Sequence, residues 1–139
     1  MASTKHTGVI LLINKAPVLW YSKRQSTVET STFGSEIVAM RIAIELIEGL
    51  RYKLRMMGVP IKGSCNVLCD NESVVKNVTR PESSCKKKHN LVAYHKSRES
   101  IAARIIRVAK ESGATNLADI LTKLLTGSAL RDACSRIMF

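Results

Sequence analysis

The chain is 139 residues long, 45% hydrophobic and 24% charged, which fits one domain with its own core and excludes a scaffold held by disulfides or an intrinsically disordered chain. Its 22 lysines and arginines outweigh 11 acids to leave a net charge of +11, so a polyanionic partner is expected, nucleic acid ahead of membrane, against the alternative of a soluble basic surface. The polar first residues, and the lack of any apolar run approaching about 18 residues, argue against a signal peptide or a membrane span and place the protein inside the cell.

Residues 1–6 read as a disordered lead-in. Residues 8–13 are an apolar run closed by the turn-forming Asn14-Lys15-Ala16-Pro17, and residues 18–22 resume with β-prone side chains, which predicts a hairpin. After a polar stretch, residues 32–57 carry Ile37, Met40, Ile44, Ile47, Leu50 and Leu54 at spacings of three and four. That periodicity predicts a long amphipathic helix, ended by Gly58-Val59-Pro60. Residues 65–70 read as a strand, and residues 71–77 as a short helix stopped before Arg80-Pro81. A loop rich in serine and lysine leads to a second helix, about residues 89–102. Residues 104–109 alternate charged with β-branched side chains and suit an edge strand. Asn116 can cap a short helix through Thr122, and residues 127–139 close the chain with another helix. Strands alternating with helices predict an α/β sheet covered by helices, with no internal repeat, low-complexity tract or linker.

The four cysteines, Cys65, Cys69, Cys85 and Cys134, show neither a CxxC pair nor a paired-histidine spacing, so reduced, packed thiols are expected rather than a zinc site. The dense basic run Lys86-Lys87-Lys88-His89 is either a solvated loop or a phosphate contact. Three acids fall at element junctions: Glu36 in the first turns of the long helix, Asp70 at a strand end and Asp119 at a helix start. Such junctions tend to converge on the ligand-binding edge of an α/β sheet. Clustered carboxylates repel unless cations neutralise them, and Mg²⁺ is the natural occupant. Each acid also has a plain structural explanation. Glu36 could be an exposed helix residue or a capping-box acid, Asp70 a helix cap, and Asp119 a first-turn acid favoured by the helix dipole.

The hairpin, Ser35-Glu36-Ile37-Val38-Ala39, Cys69-Asp70-Asn71-Glu72-Ser73, Lys88-His89-Asn90 with Tyr94-His95, and Leu117-Ala118-Asp119-Ile120-Leu121-Thr122-Lys123 resemble the C-terminal RNase H domain of copia-type retrotransposon polyproteins. Residues 20–29 look like that family's second hairpin strand and its approach to the first helix, and the resemblance covers residues 7–139. It implies a single RNase H-like domain: a mixed sheet flanked by helices, with four acids holding two Mg²⁺ ions that cut the RNA strand of an RNA–DNA hybrid. Glu36, Asp70 and Asp119 would be three of those acids and the catalytic metal ligands. Lys86, Lys87, Lys88 and His89 would contact nucleic acid. An upstream reverse transcriptase segment would be a partner, and the setting a cytoplasmic retrotransposon particle.

One departure qualifies the expectation. The family's first catalytic aspartate lies on a strand ahead of Thr7, and the six residues there contain no acid. Since that strand would sit centrally, its absence should leave backbone groups and apolar surface without a partner. Neither Glu29 nor Asp132 is an obvious substitute. The wider group also places a histidine shortly before the last acid, and residues 109–118 contain none. His89 and His95 resemble helix histidines that orient or pack. The chain is therefore expected to be an impaired Mg²⁺-dependent nuclease domain or, alternatively, an inactive nucleic-acid-binding remnant.

Overall fold

The computed structural model describes residues 5–25, 32–82, 84–85 and 88–138. Strands β1 (His6–Ile13) and β2 (Ala16–Arg24) pair antiparallel. Asn14 and Lys15 join them with φ of 49° and 70°. Positive φ at both central residues belongs to the hairpin turn whose twist matches that of paired strands. Ala16 and Pro17, expected in the turn, already belong to β2, and Pro17 stands opposite Leu12 just past a register shift, where a residue lacking an N–H is tolerated. Two residues of the expected lead-in are also part of the hairpin's end. His6 begins β1, and the Lys5 carbonyl accepts the Gln25 N–H at 2.9 Å.

Helix α1 (Thr32–Met56) presents Ile37, Met40, Ile44 and Ile47 as its buried stripe. Gly58, at φ 78°, ends it: its N–H bonds the Arg55 carbonyl at 2.9 Å and the Val59 N–H bonds the Leu54 carbonyl at 3.0 Å. These paired bonds satisfy the last helical carbonyls and need a left-handed residue, which glycine supplies without steric cost.

Strand β3 (Cys65–Cys69) is followed by α2 (Glu72–Thr79), a 3-10 turn (Lys88–Asn90), α3 (Leu91–Ala102) and β4 (Ile106–Lys110), which pairs parallel with β3. β4 starts at Ile106 rather than Arg104 because Arg104, at φ 56°, is the left-handed residue that closes α3; the Ile105 N–H bonds back to the Ser100 carbonyl at 3.0 Å. A second 3-10 turn (Leu117–Leu121) and α4 (Gly127–Ile137) complete the chain. Arg98 of α3 ties the crossover together. Its guanidinium donates to the carbonyls of Asn77, Arg80 and Pro81 at the end of α2, and lies 5.2 Å from the Tyr94 ring centroid.

The architecture is mixed α/β as expected, but the expected mixed sheet is split. Among the described residues β1 pairs only with β2, and β3 only with β4. One core nevertheless spans both pairs. Val9 and Leu11 of β1, Ile37, Met40 and Ile44 of α1, Val67 of β3 and Val108 of β4 are buried in one cluster, with Tyr94 of α3. No helix among the described residues is long and apolar enough to cross a membrane.

Candidate metal centre

Glu36 is placed by the N-terminal turns of α1, and Gln25 fixes where those turns sit. The Gln25 side-chain amide donates to the Thr7 hydroxyl at 2.8 Å and to the Ser35 carbonyl at 3.0 Å, joining both strands of the hairpin to the residue preceding Glu36. Thr7 and Ser35 are both buried. Glu36 itself is half-buried rather than an exposed helix residue.

Asp70 directly follows β3 and is also half-buried. It does not cap α2. Asn71 does so, its side-chain oxygen accepting the Val74 N–H at 3.2 Å. The capping explanation for Asp70 therefore falls away, because the position one residue on already fills that role.

Glu36, Asp70 and Cys69 converge: one ligand atom from each lies within 4.8 Å of the others. Burial raises the Glu36 pKa above its ordinary value of 4.5, and the carboxylates of Asp70 and Asp119 push it the same way, while Lys123 and Lys5 oppose them. Burial likewise pushes the Cys69 thiol up to about 11, against a hydrogen bond to the Asn71 carbonyl that lowers it, with Glu36 and Asp70 adding to the rise. At neutral pH the thiol is therefore uncharged, and the negative charge at the centre comes from carboxylates. Sequence spacing passed over Cys69. The signal was its alternation with Val67, which turns both toward the core, where α1 brings Glu36.

Asp119 reaches the same neighbourhood by another route. The 3-10 turn that bears it is capped by Asn116, whose side chain accepts the Ala118 N–H at 3.1 Å. The turn is held to the hairpin by the Ser22 hydroxyl, which donates to the Leu121 carbonyl at 2.8 Å. The Asp119 carboxylate pairs with the Lys123 ammonium at 3.1 Å. It acts on Glu36 through its charge but is not a member of the tight group of three.

Of the basic run, Lys88 is described and exposed; Lys86, Lys87 and the His89 side chain lie outside the described residues. His95 is exposed on α3, its ring edge-to-face with Tyr94 at 5.2 Å between centroids. The four cysteines are free thiols.

Glu36 and Asp70 are among the residues lining a groove of about 230 Å³. Residues 8–12 of β1 and residues 66–70 of β3 line it, with Ala39, Met40, Ala43 and Ile47 of α1. Leu117, Ala118 and Arg136 line it as well.

No protein-family model matches the chain, and no solved structure matches it. Among curated proteins it is similar to the retrovirus-related Pol polyproteins from transposons RE1 and RE2 of Arabidopsis thaliana, at 26% and 25% identity over 130 residues, 94% of the chain. It is also 29% identical over 119 residues, 86% of the chain, to the retrovirus-related Pol polyprotein from transposon TNT 1-94 of Nicotiana tabacum. In each comparison the chain spans 9% of the relative's length. The relationship is thus to retrotransposon Pol polyproteins, and it runs along most of the chain.

Proposed function

We propose that the chain is an RNase H-type nuclease domain of a copia-type retrotransposon polyprotein, hydrolysing the RNA strand of RNA–DNA hybrids with Mg²⁺. The observation that carries this reading is the meeting of Glu36 and Asp70, 34 residues apart by their numbering, in the lining of one groove within reach of the charge of Asp119. The donor set fits a hard divalent cation. Two carboxylates supply oxygens, burial and then the charge of Asp70 raise the Glu36 pKa, and the neutral Cys69 thiol adds no soft thiolate.

Glu36 and Asp70 would hold the metal, with Asp119 completing the charge on the side of the hairpin. When bound, a pair of such ions lowers the pKa of the attacking water and stabilises the leaving oxygen. The chain's own contribution is to fix the acids. Gln25 sets the height of α1, Asn71 frees Asp70 from capping, and Ser22 holds the turn that carries Asp119. The positive surface supplies affinity for the hybrid's phosphates, with Lys86, Lys87, Lys88 and His89 as contacts. An upstream reverse transcriptase segment is the partner, and an intracellular retrotransposon particle the setting.

A second reading has its own observation. The net charge of +11 supports nucleic-acid binding by itself, with or without cleavage at Glu36 and Asp70. A nucleic-acid-binding remnant without cleavage would look like this. The two readings separate in one experiment: hybrid cleavage is measured for the chain as it stands and for a chain carrying, ahead of Thr7, a strand with an aspartate. The nuclease reading expects weak or absent cleavage from the first, and Mg²⁺-dependent cleavage from the second that Asp70→Asn abolishes while hybrid binding persists. No cleavage by the extended chain supports the remnant. Mg²⁺-dependent cleavage retained by Asp70→Asn would sink the metal-ligand role of Asp70.

A further inference from the structure

Helix α1 runs on past the core it packs against. Its last buried residue is Ile47, yet the helix continues to Met56, and of residues 49–56 only Leu50, Arg51 and Leu54 are half-buried. Helices in proteins are stabilised chiefly by packing one face, so turns carried beyond the core into solvent call for another reason. The face they show is cationic around an apolar ridge. Tyr52 and Met56, about one turn apart, are 65% and 71% exposed, and Lys53 and Arg55 flank them, the four lying within an arc of about 160° at 3.6 residues per turn. Residues 51–62 hold Arg51, Lys53, Arg55 and Lys62 and no acid. Arg51 is engaged: it donates to the Gly63 carbonyl at 3.0 Å, which keeps the neighbouring Lys62 close to the helix end. Lys53, Arg55 and Lys62 are exposed and enter no ion pair among the described residues. The acid nearest along the helix, Glu48, is taken, accepting from the Lys96 ammonium at 2.8 Å and the Ser100 hydroxyl at 3.0 Å.

We propose that this end of α1 binds an unpaired nucleic-acid strand, its phosphates held by Lys53, Arg55 and Lys62 and one base stacked on the Tyr52 ring beside Met56. The occupant follows from the chemistry. Three cations with no acid among them ask for a polyanion, and they repel a second copy of a chain that itself carries +11. An exposed aromatic ring set among cations is what binders of single strands use, because every base has a π-face to stack. A blunt duplex keeps nearly all of those faces inside its own stack and offers such a ring little. The surface also lies away from the metal centre: Met56 follows Glu36 by 20 residues, about 30 Å of helix. The inference needs neither metal nor cleavage, so it stands or fails apart from the nuclease reading.

Fluorescence anisotropy of the full chain tests it with two labelled probes, an unpaired oligouridylate of about 8 nucleotides and a blunt-ended RNA–DNA hybrid. Tyr52→Ala should weaken binding of the unpaired strand by about 5- to 100-fold, the worth of one stacked base, and leave the affinity for the hybrid unchanged. Tyr52→Trp should keep the native affinity, whereas Tyr52→Leu, apolar but without a ring, should lose it as Tyr52→Ala does. Alanine at Lys53, Arg55 and Lys62 together should lower the salt slope for the unpaired strand by about 2, at about 0.7 for each phosphate contact. All four substituted side chains are exposed, so the variants should melt with the parent chain. An unchanged slope, equal losses for strand and hybrid, or a Tyr52→Leu chain that binds as well as Tyr52→Trp would overturn the proposal. Polyglutamate that displaces the strand and depends on Tyr52 to the same degree would assign the surface to an acidic protein segment instead.

Discussion

Gly8 and Thr122 are packed so closely that a methyl group on Gly8 would lie 2.5 Å from Thr122 Cγ2, and 2.9 Å from the Ala118 carbonyl oxygen. Glycine on β1 thus lets the 3-10 turn lie flat against the strand, and the turn's position is the position of Asp119. Gly8→Ala should push the turn away and destabilise the chain by about 1–3 kcal/mol, the range for overpacking a close contact. Urea denaturation checks it. An unchanged midpoint would mean that the turn does not bear on β1 in solution.

Glu36 gives a pH dependence whose sign follows from its raised pKa. The folded chain holds a proton there that the unfolded chain has released, so ionised Glu36 opposes folding. The penalty is absent below about pH 4.5, the ordinary value, grows as pH rises through the shifted value and is complete above it. Glu36→Gln should therefore raise metal-free stability at neutral pH and change it little below that window. Thermal melts in chelator across the range decide it, and a neutral-pH loss of stability would contradict the assignment.

Lys123 acts in the opposite sense to the acids. It pairs with Asp119 at 3.1 Å and draws the Glu36 pKa downward. Because its ammonium is largely exposed although the Asp119 carboxylate is mostly buried, Lys123→Met should cost no more than about 1 kcal/mol without metal, the upper end for pairs open to solvent. In the Glu36→Gln background the cost should shrink, since one of the two charges it offsets is gone. A double-mutant cycle reads the coupling, and strict additivity would place Lys123 outside the acidic centre.

Binding to hybrid duplex should be nearly independent of sequence and steeply dependent on salt. With several phosphate contacts, affinity falls by orders of magnitude between about 50 and 200 mM salt. Alanine at Lys86, Lys87 and Lys88 together should lower both the affinity and the slope of that dependence. An unchanged slope would leave the run as a solvated loop, and a flat salt response in the native chain would remove nucleic acid from the account.

The elements were legible where one local signal dominated. Spacings of three and four gave α1 nearly to the residue, with Ile37, Met40, Ile44 and Ile47 as its buried stripe, because burial of a helix face imposes that period. Boundaries moved where backbone conformation decided. Lys15 and Arg104 adopt left-handed φ without being glycine, so nothing in composition marked a two-residue turn at the first or a helix end at the second. Glu36 and Asp70 could be placed at junctions from sequence, whereas their meeting comes from the one core that α1, β1 and β3 share. Cys69 escaped because a buried thiol is ordinarily core, and its nearness to two carboxylates is a tertiary fact. The resemblance led to a single mixed sheet; its division into two pairs among the described residues, and their lining of one groove, came only from the structure.

The contrast between the two strand pairs also sets an order of folding. The β1–β2 hairpin closes across Asn14 and Lys15, and hairpins form in about 1–10 μs. Asn66 and Arg107 bond across the parallel pair at a separation of 41 residues. Closing that ladder means ordering the α2 and α3 crossover first, and the entropy of a long loop must be met before its contacts stabilise anything. A ribosome delivers the hairpin and α1 before β4 exists. The nascent chain therefore carries β3 with both edges open until residues 106–110 emerge, and that interval is when it is most exposed to pairing with the wrong strand.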